Sequence, residues 1–282
     1  MPSRPRSGGR SGAGYAANSY RTEGLVLRTY SLGEADRIIV LLTPHLGQVR
    51  AVAKGVRRTT SKFGATLEPF MLSRLQLVRG RNLDIITQAE SVRPYGSLIA
   101  ADYDGYTAAS AMVETAERLT LAEVPGSPVP DDGPATSQHQ AGSPGRVASP
   151  TQYRLLHGAL AALARHAHAP RLLLDSYLLR ALSTAGWAPT FTHCARCGDP
   201  GPHRSVNVTL GGTVCPDCRP PGSATPAPET IQLLAALVAG DWAVADAAPE
   251  GARREAAGIV AGYLQFHLER HLKSMSVMDQ YR

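Results

Sequence analysis

The sequence predicts an α+β chain in two parts: a small five-stranded β-barrel, then a helical domain with an inserted metal knuckle. Three observations predict it. Residues 20–92 hold five short alternating runs separated by turn signals. After Pro94 the apolar spacing becomes helical. All four cysteines of the 282 residues lie in one short window, as Cys194-x2-Cys197 and Cys215-x2-Cys218.

The strand candidates are residues 24–30, 37–43, 47–53, 70–78 and 84–92. Gly33, Pro44-His45-Leu46-Gly47, a basic loop and Gly80-Arg81-Asn82 break them. Five strands in so short a span suit an OB-type barrel, taken here as residues 20–95, an architecture that often binds nucleic acid. Alternation turns Val49, Ala51 and Ala53 inward and Gln48, Arg50 and Lys54 outward. In the fourth strand Leu75 and Leu77 go in while Arg74 and Gln76 go out. One barrel surface is thus expected to carry a stripe of cations.

Helical spacing marks residues 98–121, with Tyr106, Ala109, Val113 and Ala116 on one side. Residues 124–150 are rich in Pro, Gly and Ser and read as a flexible insertion. Further helices are expected over 152–167, which presents Leu156, Leu160 and Leu163, and over 171–185, apolar enough to be the buried one. Helices over 228–239, closed by Gly240, and over 251–271 complete a helical domain spanning 96–282. Residues 1–19 carry Arg4, Arg6 and Arg10 without an acid and read as a disordered basic tail.

The cysteine spacing is that of a closed zinc site, Cys194, Cys197, Cys215 and Cys218 forming a knuckle within residues 190–220. Four thiolates leave no open position, so one structural Zn2+ is expected. Ser205 to Leu210 and Thr213-Val214 read as a weak hairpin turning at Gly211-Gly212, and Gly198 suits the left-handed backbone of a knuckle. His193 and His203 are near enough to substitute but are spare. Disulfides are disfavoured because residues 1–20 lack the apolar stretch of a secretory signal, which points to a cytoplasmic location. A redox dithiol at Cys215-Pro216-Asp217-Cys218 lacks a thioredoxin-like context and leaves the other pair without a purpose.

Charge divides unevenly. Residues 1–99 hold 15 Lys/Arg against 6 Asp/Glu, net +9, whereas residues 100–282 are net −3. A polyanion is the natural partner of the first part. The densest cluster runs from Lys54 through Arg57 and Arg58 to Lys62; with Arg50, Arg74 and, more weakly, Arg79 and Arg81 it forms the expected phosphate-binding surface for nucleic acid. Aromatics between 21 and 99 are only Tyr30, Phe63, Phe70 and Tyr95, so binding should be chiefly electrostatic and indifferent to sequence. No run of 18 apolar residues exists, and no phosphate-cradling or nucleophile motif is found. His267 and His271 stand at i, i+4, yet the Glu is at 269, outside the zincin pattern. Asp102/Asp104 and Asp131/Asp132 read as caps or solvated charge. The chain reads as a binding protein, not an enzyme.

Thr22 to Leu27, the Gly33-Glu34-Ala35-Asp36 turn, Lys54-Gly55-Val56-Arg57 and Gly64 to Phe70 together resemble the bacterial RecO family of DNA repair proteins. Gly186-Trp187-Ala188-Pro189, both Cys-x-x-Cys pairs and His271-Leu272-Lys273-Ser274 extend the resemblance over about residues 20–275. It implies an OB-fold joined to a helical domain with the zinc knuckle. It further implies a recombination mediator that binds single- and double-stranded DNA, anneals complementary strands, contacts the single-strand-binding protein SSB, and acts with RecR to load RecA. A nucleoid-associated location follows. The resemblance also directs attention to a groove for the acidic, aromatic-ended tail of SSB, with Arg154, Arg165, Arg171 and Arg180 as flanking cations. The alternative is a zinc-ribbon RNA-binding or transcription-associated protein, but residues 190–220 offer only Arg196, Arg204 and Arg219.

Overall fold

The structure, a computed structural model, describes residues 18–120 and 148–268. The insertion expected over 124–150 lies outside these except at its last three residues. The tail expected over 1–19 does so except for Asn18 and Ser19. Two compact units meet in sequence at Pro94/Tyr95.

The first unit is a closed barrel of β1 (Ser19–Leu32), β2 (Asp36–Thr43), β3 (Gly47–Ala53), β4 (Leu72–Val78) and β5 (Asp84–Arg93), in the order β1-β2-β3-β5-β4. β5 runs parallel to β3 and antiparallel to β4, so the closure is a Greek key. Period-two alternation builds the interior: Val26, Ile39, Leu41, Val49, Ala51, Leu75, Leu77 and Ile86 form one buried cluster. Arg50 and Arg74 point outward, as alternation requires.

β1 is longer than expected, opening at Ser19, because its first half pairs with β4 and its second with β2. The two halves meet at a bulge. Val26 pairs with Leu41 and Arg28 with Val40, leaving Leu27 as the extra residue.

The second unit contains α1 (Tyr95–Ile99), α2 (Tyr103–Leu119), α3 (Pro150–Ala164), α4 (Pro170–Thr184), α5 (Pro228–Ala239), α6 (Trp242–Ala247) and α7 (Glu250–Leu268). The single helix expected over 98–121 is two, because Asp102 caps α2 by accepting from the amides of Asp104 and Gly105 at 3.2 and 3.1 Å. Tyr106 is exposed, not on the buried side, since Ala108, Ala109, Met112, Val113 and Ala116 set the packed face. α4 is the central element, buried from Leu172 to Leu179 and packed on α2, α3, α5 and α7. Gly240 ends α5 in the left-handed conformation. The short α6, which follows at once with Asp241 as its cap, has no counterpart in the sequence reading. Among the described residues, no helix is long and apolar enough to cross a membrane.

Candidate nucleic-acid interface and metal centre

Strand register decides which cations meet. β3 ends at Ala53, and parallel pairing sets Ala51 beside Asp84 and Val52 beside Ile85. The β4–β5 loop bearing Arg79 and Arg81 precedes Asp84 and so lies beside β3 on the Arg50 side of this contact, while the basic loop leaves β3 on its other side, at Lys54. The β1–β2 turn is there too: the Arg57 amide donates to Ala35 O at 3.0 Å, and its Nη1 to Gly33 O at 3.3 Å. The Gly55 amide donates to Asp36 Oδ1 at 2.7 Å, where a left-handed Gly55 lets the chain turn. Lys62 donates to Thr87 O on β5 at 2.8 Å and lies over the buried Phe63 ring.

Arg50, Lys54, Arg57, Arg58, Lys62, Arg79 and Arg81 are all exposed. Arg74 is set apart. β5 separates its strand from β3, and it lies between Glu23 at 3.1 Å and Glu90 at 3.6 Å. Arg50 and Arg74, expected on one stripe, thus stand on strands with β5 between them.

Sequence reasoning did not single out Arg28. Counted in strict alternation from the inward Val26, Arg28 and Tyr30 would also face inward; the Leu27 bulge turns both outward, in register with Val40 and Ile38. Val40 in turn pairs with Arg50, so Arg28 and Arg50 flank it on one outer face. A bulge leaves no sure mark in a single sequence, so no local signal would have found them.

The cysteines converge as their spacing required. Their four sulfurs lie within 4.8 Å of one another. Each pair sits on its own turn. Gly198, at φ 79°, lets its amide return to Cys194 O at 2.9 Å, and Cys218 closes a 3-10 turn onto Cys215. β6 (Ser205–Asn207) and β7 (Gly212–Val214) form the hairpin between them. The turn is residues 208–211 and not Gly211-Gly212, because Asn207 Oδ1 captures the Leu210 amide at 3.0 Å. Gly212 instead lies within β7, where a Cβ would sit 1.9 Å from Thr190 O.

The donor set fits a tetrahedral thiophilic ion. With metal–sulfur bonds of about 2.3 Å, tetrahedral sulfurs stand about 3.8 Å apart, and Cys197 Sγ and Cys215 Sγ are at 3.8 Å. That is far beyond a disulfide bond. The Cys197 amide, followed by that of Cys215, pulls the Cys194 thiol down to about 6. Hydrogen bonding with Cys215 and then Cys197 pushes Cys218 up to about 12. The Cys197 and Cys215 amides thus favour the Cys194 thiolate. His203 is hydrogen-bonded to Asp199 O at 2.9 Å and His193 to Thr192 at 2.9 Å, outside the cluster.

The family model described as Recombination protein O N terminal matches residues 18–95, and Recombination protein O C terminal matches 141–276. A protein of Nocardioides sp. named DNA repair protein RecO is 52% identical over 264 residues, covering 93% of this chain and 99% of that protein. The chain belongs to the RecO family. Identically named proteins of Thermobifida fusca and Streptomyces coelicolor are 49% and 50% identical, again over 93% of this chain and 98% and 99% of their own lengths. In this RecO-family chain the first family model spans the barrel and the second the knuckle and the helices from α3 to α7.

The helical unit also holds a cavity of about 450 Å³ between α3, α4 and α6. Leu155, Leu173 and Trp242 supply apolar walls, with Arg154, Arg165 and Arg180 around them. Tyr177, buried at 3% exposure, lines it with a hydroxyl that has no partner among the described residues. Arg171 is not part of it: its Nε bonds Asp175 at 3.0 and 3.1 Å and its Nη2 reaches Ala257 O.

Proposed function

We propose that this chain is a cytoplasmic, nucleoid-associated mediator of DNA repair and homologous recombination. It binds single- and double-stranded DNA without sequence specificity, anneals complementary strands and helps load RecA onto SSB-coated DNA. RecR is its second protein partner. The observation that carries the reading is a run of exposed cations along β3 and the loops beside it: Arg50 on the strand, Lys54, Arg57 and Arg58 on the loop that leaves it, and Arg79 and Arg81 on the loop before Asp84, which pairs with Ala51. Cations there neutralise backbone phosphates on two strands, lowering their mutual repulsion, while base pairing supplies the specificity.

The chain's own residues have binding work and no bond-making step. The barrel cations hold phosphates. The cysteines hold one structural zinc ion, which stabilises the knuckle against unfolding. The cavity in the helical unit suits the tail of SSB: its walls take an aromatic ring, and Arg154, Arg165, Arg180 and the Tyr177 hydroxyl offer donors to carboxylates.

The test is annealing of complementary oligonucleotides, each coated with SSB, with and without the protein. Acceleration that vanishes in Arg57→Ala/Arg58→Ala supports the reading. No acceleration on coated or bare strands refutes it.

A further inference from the structure

Charge leaves one feature of the barrel face unexplained. Tyr30 and Leu32 stand exposed, at 38% and 39%, two residues apart on the outer side of β1. Both owe this orientation to the Leu27 bulge, which shifts the alternation by one residue. The Arg50 guanidinium lies over the Tyr30 ring, 5.9 Å from its centroid. That contact orients the ring by the attraction of a cation to a π-face. Lys54, Arg57 and Arg58 leave the barrel beside it, past the strand end at which Leu32 pairs with Asp36.

We propose that Tyr30 is a base-stacking platform, with Leu32 as its apolar shoulder, that makes this face discriminate single strands with accessible bases from duplex. The inference rests on the reading of the face as DNA-binding and adds a recognition that phosphate neutralisation cannot supply. A duplex presents phosphates to the cations as well as a single strand does, but its base faces are covered by their neighbours. A tyrosine ring in reach of the backbone track gains contact only when a base is unstacked, and any base will serve. An isolated exposed aromatic needs no explanation. This one has an apolar neighbour, an oriented ring and a cationic frame, all on one strand face.

The experiment compares binding of the full chain to an oligothymidylate, to an abasic oligonucleotide with the same number of phosphates, and to a duplex. The wild type should bind the oligothymidylate about 5- to 100-fold more tightly than the abasic strand. Tyr30→Leu should abolish that ratio while leaving abasic and duplex affinities unchanged, and Tyr30→Phe and Tyr30→Trp should keep it. Equal wild-type binding of thymidylate and abasic strands overturns the inference, as does a ratio that survives in Tyr30→Leu or an equal loss on all three ligands. Arg57→Ala/Arg58→Ala reports separately on the face itself. If its salt dependence matches wild type, the barrel reading fails whatever Tyr30 does; if the dependence falls but the Tyr30 ratio does not behave as stated, only the stacking role fails.

Discussion

Replacing Arg57 and Arg58 together by Ala should change how binding depends on salt more clearly than it changes binding at any one condition. Both side chains are exposed on the loop that Arg57 anchors to the β1–β2 turn, and among the described residues neither is ion-paired with an acid. Each phosphate contact on a single strand contributes about 0.7 to the slope of log K against log salt, so losing two should flatten it by about 1.4. Between 50 and 200 mM salt, the wild type should then lose about sevenfold more affinity than the variant. Arg74→Ala is the internal control. Arg74 has Glu23 and Glu90 on either side, at 3.1 and 3.6 Å, and lies across β5 from Arg50, so its removal should leave the slope unaltered. Fluorescence anisotropy of a labelled oligonucleotide at five salt concentrations measures both. The reasoning is refuted if Arg74→Ala flattens the slope as much as the double change, or if the double change leaves it as steep as wild type.

Zinc affinity, read by competition with a chromophoric chelator, should fall by at least about tenfold per pH unit below neutrality, because protons compete for the thiolates, and most steeply below the Cys194 value of about 6; a pH-independent affinity would rule out a thiolate site. Gly212→Ala should strip the knuckle of metal and lower the melting temperature of the helical unit, since its Cβ would press on Thr190 O. Gly222→Ala, also at positive φ but in open space, should show only the backbone cost of about 1–2 kcal/mol; equal effects at the two positions would show the contact to be irrelevant. A fluorescent peptide with an acidic, aromatic-ended sequence should bind at the α3–α4–α6 cavity, with Trp242→Ala and Arg180→Ala each weakening it at least about tenfold. Unchanged affinity in both variants, or in a peptide without its terminal aromatic, would place any binding elsewhere.

Much of the chain was legible from local pattern. Alternation delimited β3 and the inward set Val49, Ala51 and Ala53, and it located β5 to within a residue. Helical spacing found α3, α4 and α5, and the apolar runs Leu172 to Leu174 and Tyr177 to Leu179 marked α4 as the buried helix. The two Cys-x-x-Cys pairs marked the four sulfurs that the structure brings together and that could hold a metal ion, since the pairs and their turn residues are recorded in spacing alone. These features share a cause: each depends on the periodicity or turn chemistry of contiguous residues.

Tertiary structure decided what depends on a partner strand or helix. A bulge is defined only by pairing, so the orientation of Arg28 and Tyr30 could not be counted along β1. The pairing of Arg74 with Glu23 and Glu90 joins β4 to β5 and to β1, whose Glu23 is 51 residues away in sequence. The placing of the Arg79–Arg81 loop beside β3, toward Arg50, follows from the parallel contact of β3 with β5, a non-local closure that alternation within either strand does not encode. Tyr106 left the packed face because the side that α2 buries is set by the helices it meets. Composition and spacing thus determined which chemistries this chain can hold, while register and packing determined which of its cations and aromatics share a surface, because neighbours across a sheet or between helices are set by closure of the whole fold.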